Sequence, residues 1–171
     1  MTAPAKLASP SAPSAPPAKA PDVRINPWLR RYHPAPSAAV RLLYFPHAGS
    51  SASACLRLSA ALPPHGEVLG VQYPGRQDRF AEPPLPTVDA LAAAVHHSLA
   101  DLDDGRPLAF FGHSMGAIVA YEVARRMAAE GAAPTRLIVS GRRAPHVVRD
   151  DHVHKGGDAA LIAQLRKLSG T

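Results

Sequence analysis

The sequence predicts an α/β fold, a mostly parallel sheet with helices on both faces. Three observations predict it. From Val40 onward, short apolar runs alternate with segments of helical period. The apolar runs are continuous, as expected of strands buried on both faces. One run leads through a G-x-S-x-G turn directly into a strong helical segment.

The elements follow in order. Val40 to Phe45 is the first strand of the domain, followed by the loop Pro46-His47-Ala48-Gly49-Ser50-Ser51. Residues 53–62 suit a helix. Glu67 to Gln72 is a second strand, ending at Tyr73-Pro74-Gly75-Arg76. Thr87 is placed to cap a helix in which Val88, Leu91, Ala92, Val95, Leu99 and Leu102 form one apolar face. Leu108 to Phe111 is a short apolar strand, 117–130 a strong helix closed by Gly131, and Arg136 to Ser140 another strand. A last helix covers 158–168, with Asp158 as its N-cap and Gly170 beyond its end. No internal repeat occurs.

Residues 1–36 hold nine of the nineteen prolines, mixed with Ala and Ser. Proline fixes φ and removes a donor, so this stretch is expected to be a disordered or polyproline-like tail. At its end, Trp28 and Tyr32 are expected to pack against the domain. Residues 37–171 then form the domain portion, which includes 146–171.

Composition narrows the function classes. Hydrophobic residues make up 46% and charged residues 19%, as in a globular domain of 171 residues. No run reaches the ~18 consecutive apolar residues of a membrane span, and prolines interrupt any secretory signal core, so no membrane association is expected. The single cysteine, Cys55, excludes an intrachain disulfide and suits a reducing, cytoplasmic setting. Its Ala/Leu-rich surroundings predict a small buried or half-buried apolar residue. The net charge of +6 comes from scattered arginines without an aromatic-rich basic stripe. Nucleic acid is therefore not expected as a partner; the charge reads either as a solvated, arginine-rich surface or as an attraction to an acidic partner.

The chemistry lies in Phe110-Phe111-Gly112-His113-Ser114-Met115-Gly116-Ala117. A serine on a sharp strand-to-helix turn is held in strain, and its neighbours must be small for the turn to close. Gly112 and Gly116 supply that elbow. Ser114 then stands at a helix N-terminus, where free N–H groups and the helix dipole favour negative charge. The arrangement resembles the nucleophile turn of the α/β-hydrolases, with Ser114 as the expected nucleophile. The Met115 N–H is one expected oxyanion-hole donor, and the N–H of His47 or of Ala48 the other. His113 is expected to pack or hydrogen-bond beside the turn rather than act as base, and His47 to fill its loop.

Phe45-Pro46-His47-Ala48-Gly49-Ser50, Gln72-Tyr73-Pro74-Gly75-Arg76-Gln77-Asp78-Arg79, Gly112-His113-Ser114-Met115-Gly116-Ala117 and Ser140-Gly141-Arg142-Arg143-Ala144-Pro145 together resemble the type II thioesterases. These are the stand-alone proofreading enzymes of polyketide synthases and nonribosomal peptide synthetases. The resemblance runs from about Asn26 to Thr171, and the order of its motifs makes it specific. It implies an α/β-hydrolase fold, a Ser114 acyl-enzyme and an acyl thioester substrate on the phosphopantetheine arm of an acyl or peptidyl carrier protein. It implies no cofactor and a monomer. It also makes 146–171 the start of a lid region.

Two departures matter. Ser50 stands where the family usually carries a second glycine. The family's triad Asp and His lie later than this chain reaches, since only 57 residues follow Ser114. The cluster Arg149-Asp150-Asp151-His152-Val153-His154, with His146 and Asp158 near it, is expected to be a solvated loop, not a metal site or substitute dyad. Little or no turnover is expected of these 171 residues alone, with an uncovered sheet edge. A different serine esterase and a non-catalytic carrier-protein binder are the alternatives.

Overall fold

In a computed structural model, the described residues are 23–102, 104–144, 147 and 156–169. Six strands form one sheet: β1 (Arg24–Asn26), β2 (Leu29–Arg30), β3 (Arg41–Phe45), β4 (Glu67–Val71), β5 (Leu108–His113) and β6 (Arg136–Ser140). Their spatial order is β1-β2-β4-β3-β5-β6. β3, β4, β5 and β6 are parallel, while β1 and β2 pair antiparallel to each other and β2 antiparallel to β4.

The helices are α1 (Leu56–Ala61), preceded by a 3₁₀ turn at Ala52–Cys55, then α2 (Val88–Ser98), α3 (Met115–Ala129) and α4 (Gly157–Ser169). The Thr87 hydroxyl accepts the Ala90 N–H at 3.1 Å, the expected cap of α2. Gly157 already lies within α4, so Asp158 occupies its first turn rather than the expected cap position.

Strand alternation divides the side chains between two layers. Phe45 and Phe110 meet edge to face at 5.2 Å in the core beneath α2 and α3, with Leu43, Val95, Val119 and Val123. On the other face Tyr44 stacks on Phe111 at 5.4 Å. The 3₁₀ turn also packs on that side, against β4: a Cβ on Gly70 would stand 2.7 Å from the Ala52 carbonyl oxygen. Cys55 is fully buried, as expected.

The N-terminal expectation needs correction. Residues 23–36 are not a disordered tail, whereas 1–22 lie outside the described residues. The Asn26 side-chain oxygen accepts the N–H groups of Trp28 and Leu29, closing a tight turn. That turn folds β2 onto β4, burying Leu29 completely. Trp28 is held under the Arg79 guanidinium, 4.4 Å from the ring centroid. Proline density misled because Asn26-Pro27 starts a turn between two strands instead of extending a linker.

Candidate active site

The strand order reverses at β3, whose neighbours are β4 and β5. Loops leaving the C-terminal ends of β3 and β5 therefore diverge to either side of one crevice, the usual ligand position in such sheets. Loop 46–51 leaves β3, and Ser114 follows β5 immediately.

Ser114 has φ 54° and ψ −115°, a conformation that L-residues rarely adopt. Its surroundings hold it there. Its N–H donates to the Ser140 carbonyl at 2.9 Å, and its carbonyl accepts the Ala117 N–H at 3.1 Å. A Cβ on Gly112 would stand 2.5 Å from the Gly116 carbonyl oxygen. A Cβ on Gly116 would overlap the Phe45 carbonyl and lie 2.6 Å from that of Pro46. Both glycines thus permit close backbone approach, one within the turn and one between the turn and loop 46–51. Met115 opens α3, so its N–H belongs to the helix end that lacks intrahelical acceptors.

Residues 47–50 form a tight turn in which the His47 carbonyl accepts the Ser50 N–H at 3.1 Å and Gly49 has φ 79°. Ala48 and Gly49 line a cavity of about 100 Å³ together with Met115, Tyr73 and Arg76. The structure therefore brings Met115 and the His47–Gly49 turn to one place beside Ser114. Burial and the neighbouring Tyr44 hold the Tyr73 hydroxyl well above its ordinary pKa, so it stays protonated.

The two histidines near Ser114 are engaged elsewhere. His113 Nδ1 lies 3.2 Å from the Ser140 hydroxyl, beside the turn as expected. His47 Nδ1 donates to the Ala48 carbonyl at 2.8 Å, and its ring meets His113 edge-on at 5.8 Å. His146, Asp150, Asp151, His152 and His154 lie outside the described residues. Among the described residues no group of three His, Cys, Asp or Glu side chains could hold a metal.

A larger hollow of about 600 Å³ runs between α3 and β6, lined by Ala117, Tyr121, Leu137, Val139 and Arg142. It follows the outer face of the last strand rather than the crevice at Met115, and it is open because nothing among the described residues covers that strand.

Two contributors at the site, quoted in the sequence only as motif and strand positions, were assigned no individual role there. Ser140 fixes the Ser114 backbone. Gln72 is fully buried, its side chain bonded to backbone groups of both neighbouring loops. The available signal for Gln72 was a polar residue closing an otherwise apolar, fully buried strand.

Comparison with known proteins agrees with this architecture. The family model described as "Thioesterase domain" matches residues 40–171. Thioesterase PikA5 of Streptomyces venezuelae is 53% identical over 145 residues, covering 84% of this chain and 52% of that protein. A Streptomyces griseus protein named "Probable cadicidin biosynthesis thioesterase" is 50% identical over 144 residues, 84% of this chain and 40% of that one. The chain thus spans about half the length of these relatives. The structure of the type II thioesterase BorB from the borrelidin biosynthetic cluster superposes with a TM-score of 0.74 at 45% identity, over 85% of this chain and 60% of that one. No helix among the described residues is long and apolar enough to cross a membrane. The chain belongs to the thioesterase family, with the α/β-hydrolase fold of the type II thioesterases of polyketide and nonribosomal peptide clusters.

Proposed function

We propose that the protein contributes the nucleophile half of an editing thioesterase that hydrolyses acyl groups from the phosphopantetheine arm of carrier proteins. The observation carrying this reading is the strained Ser114 at the start of α3, with Gly116 admitting loop 46–51 against the turn. In the reaction, Ser114 Oγ attacks the thioester carbonyl and the C–S bond breaks. The thiol leaves with a proton, and water then cleaves the acyl-serine ester to release a carboxylic acid. The Met115 N–H and that of His47 or Ala48 stabilise the oxyanion in both steps. No cofactor or metal takes part. The protein acts as a cytoplasmic monomer, and its net positive charge favours encounter with an acidic carrier protein.

Neither His47 nor His113 serves as base in this reading: the hydrogen bonds of their rings go to the Ala48 carbonyl and the Ser140 hydroxyl, not to Ser114, and the resemblance places the triad histidine in a later segment. The 171-residue span by itself is therefore expected to show little or no turnover. The test is hydrolysis of an acyl carrier protein by this span and by the chain as its gene encodes it. Robust turnover by the gene-encoded chain, lowered about 10⁴-fold or more by Ser114→Ala, is expected. Mass spectrometry of quenched reactions should find the acyl group on Ser114. A preference of about 100-fold for a soluble nitrophenyl ester over the carrier protein, worth about 2.7 kcal/mol of barrier, would identify a different serine esterase. Binding of the carrier protein without turnover, by the gene-encoded chain, would identify a non-catalytic relative.

A further inference from the structure

Gln72 ends β4's apolar run Val68-Leu69-Gly70-Val71 and is completely buried. A buried amide is costly unless its polar groups are paired, and here they are. Its backbone N–H donates to the Trp28 carbonyl at 2.7 Å, and its carbonyl accepts from Arg79 Nη1 at 2.9 Å. Its side chain reaches in two directions. Oε1 accepts the Ala52 N–H at 2.9 Å, and Nε2 donates to the Arg76 carbonyl at 2.8 Å.

Those two partners belong to different loops. Ala52 ends the loop that leaves β3, and Arg76 lies in the loop that leaves β4. Ser51 makes no side-chain cap for the 3₁₀ turn beginning at Ala52; Gln72 takes that N–H instead. The other end of loop 46–51 is held where the Phe45 and Pro46 carbonyls lie against Gly116. The His47–Gly49 turn is therefore suspended between two anchors, the Gly116 contact and the Gln72 amide.

We propose that Gln72 is a positioning residue for this site: its amide fixes the spacing between the β3 and β4 loops and so sets the His47–Ala48 backbone against the Met115 N–H. The inference rests on the thioesterase reading of Ser114. Its physical basis is that preorganised donors lose much of their value when displaced, and a shift of about 1 Å can cost about 100-fold in rate. Both side-chain partners of Gln72 are loop backbone groups, so its amide adds nothing to strand pairing.

The test uses the gene-encoded chain and acyl carrier protein. Gln72→Met keeps the side chain's length and removes both hydrogen bonds. It should lower kcat about 10- to 100-fold with KM changed less than about twofold. Affinity for an alkylboronic acid, a mimic of the tetrahedral intermediate, should fall by the same factor. Ala52→Pro deletes the N–H while keeping Gln72; proline suits the first position of a helical turn, and extended Ser51 suits the residue before it. It should reproduce the kcat loss, and it carries the test if Gln72→Met does not fold. Unchanged kcat per folded molecule in the folded variants overturns the proposal. So does a fall in kcat with boronate affinity intact. Ser114→Ala separates the failures: if it retains turnover, the reading of the site falls and the positioning role with it. If Ser114→Ala is inactive while the Gln72 and Ala52 variants match the parent, only the positioning role falls.

Discussion

At the residue scale, two glycines determine whether Ser114 can occupy its position. Gly116 has no room for a side chain, because the Phe45 and Pro46 carbonyls already fill the space a Cβ would take. Gly116→Ala must therefore push loop 46–51 away from the start of α3. The expected cost is about 2–3 kcal/mol, read from the urea midpoint, together with loss of Ser114 acylation. Cys55 offers a different residue-scale observable. Burial raises its thiol from an ordinary value of 9.0 to about 12. At pH 8 it should resist Ellman's reagent in the native protein and react stoichiometrically in urea. Above pH 9 the unfolded chain gives up this proton while the folded chain keeps it. Stability linked to Cys55 is thus intact below pH 9 and lost as pH rises toward 12. Urea midpoints at pH 8 and pH 10.5 should differ more in the parent than in Cys55→Ala.

At the scale of the element, β6 is the exposed member of the sheet. It pairs with β5 on one side only among the described residues, and Ile138 and Val139 are 48% and 50% exposed. Alternation sends Leu137 and Val139 toward the hollow beside α3, and Ile138 to the opposite face. An apolar strand with a free hydrogen-bonding edge is a template for association. The 171-residue span by itself should therefore self-associate in light scattering. Ile138→Lys should reduce that association, because a charge on an edge strand opposes pairing. Unchanged association in this variant would point to another surface. The uncovered edge was expected from the family resemblance, which places further strands after this span, and the continuous apolar run Leu137-Ile138-Val139 is that of a strand covered on both faces. The antiparallel pair β1 and β2 was not foreseeable by the same means. Neither strand is long enough to show a period, and what assembles them is Asn26 closing a turn and Leu29 entering a core built by later elements.

At the scale of the whole molecule, the two ends of the sheet carry different kinds of polar chemistry. The C-terminal ends of the strands hold the strained serine and its loops. The opposite end holds Glu67, fully buried at the start of β4, with Arg41 at 3.0 Å and Arg106 at 3.1 Å. Arg41 and Arg106 also reach Asp104, each at 2.8 Å, joining β3, β4 and the segment before β5. Removing one partner of a buried ionic cluster leaves the remaining charges uncompensated. Glu67→Ala should cost about 3–5 kcal/mol in urea unfolding. Rate per folded molecule should hold, because the cluster lies at the far end of the strands from Ser114. A fall in rate at constant folded fraction would show that the two ends are coupled.

The division between sequence and tertiary structure has a physical origin. The sequence alone determined the alternation of strands and helices, the glycine-flanked serine between β5 and α3, and the burial of Cys55. Each follows from periodicity, local sterics or composition within a short stretch of chain. Only the tertiary structure decided that Arg24–Asn26 and Leu29–Arg30 belong to the sheet, because the partners of this segment lie in β4, in α2 and at Arg79. The juxtaposition of the His47–Gly49 turn and Met115 was expected from the motifs, but only the tertiary structure gave its means, a contact between Gly116 and the end of β3. It alone revealed Gln72 as the link between two loops. A hydrogen bond from a side chain to a backbone group 20 residues away leaves no mark on local pattern; it exists only once the strands have set the loops side by side.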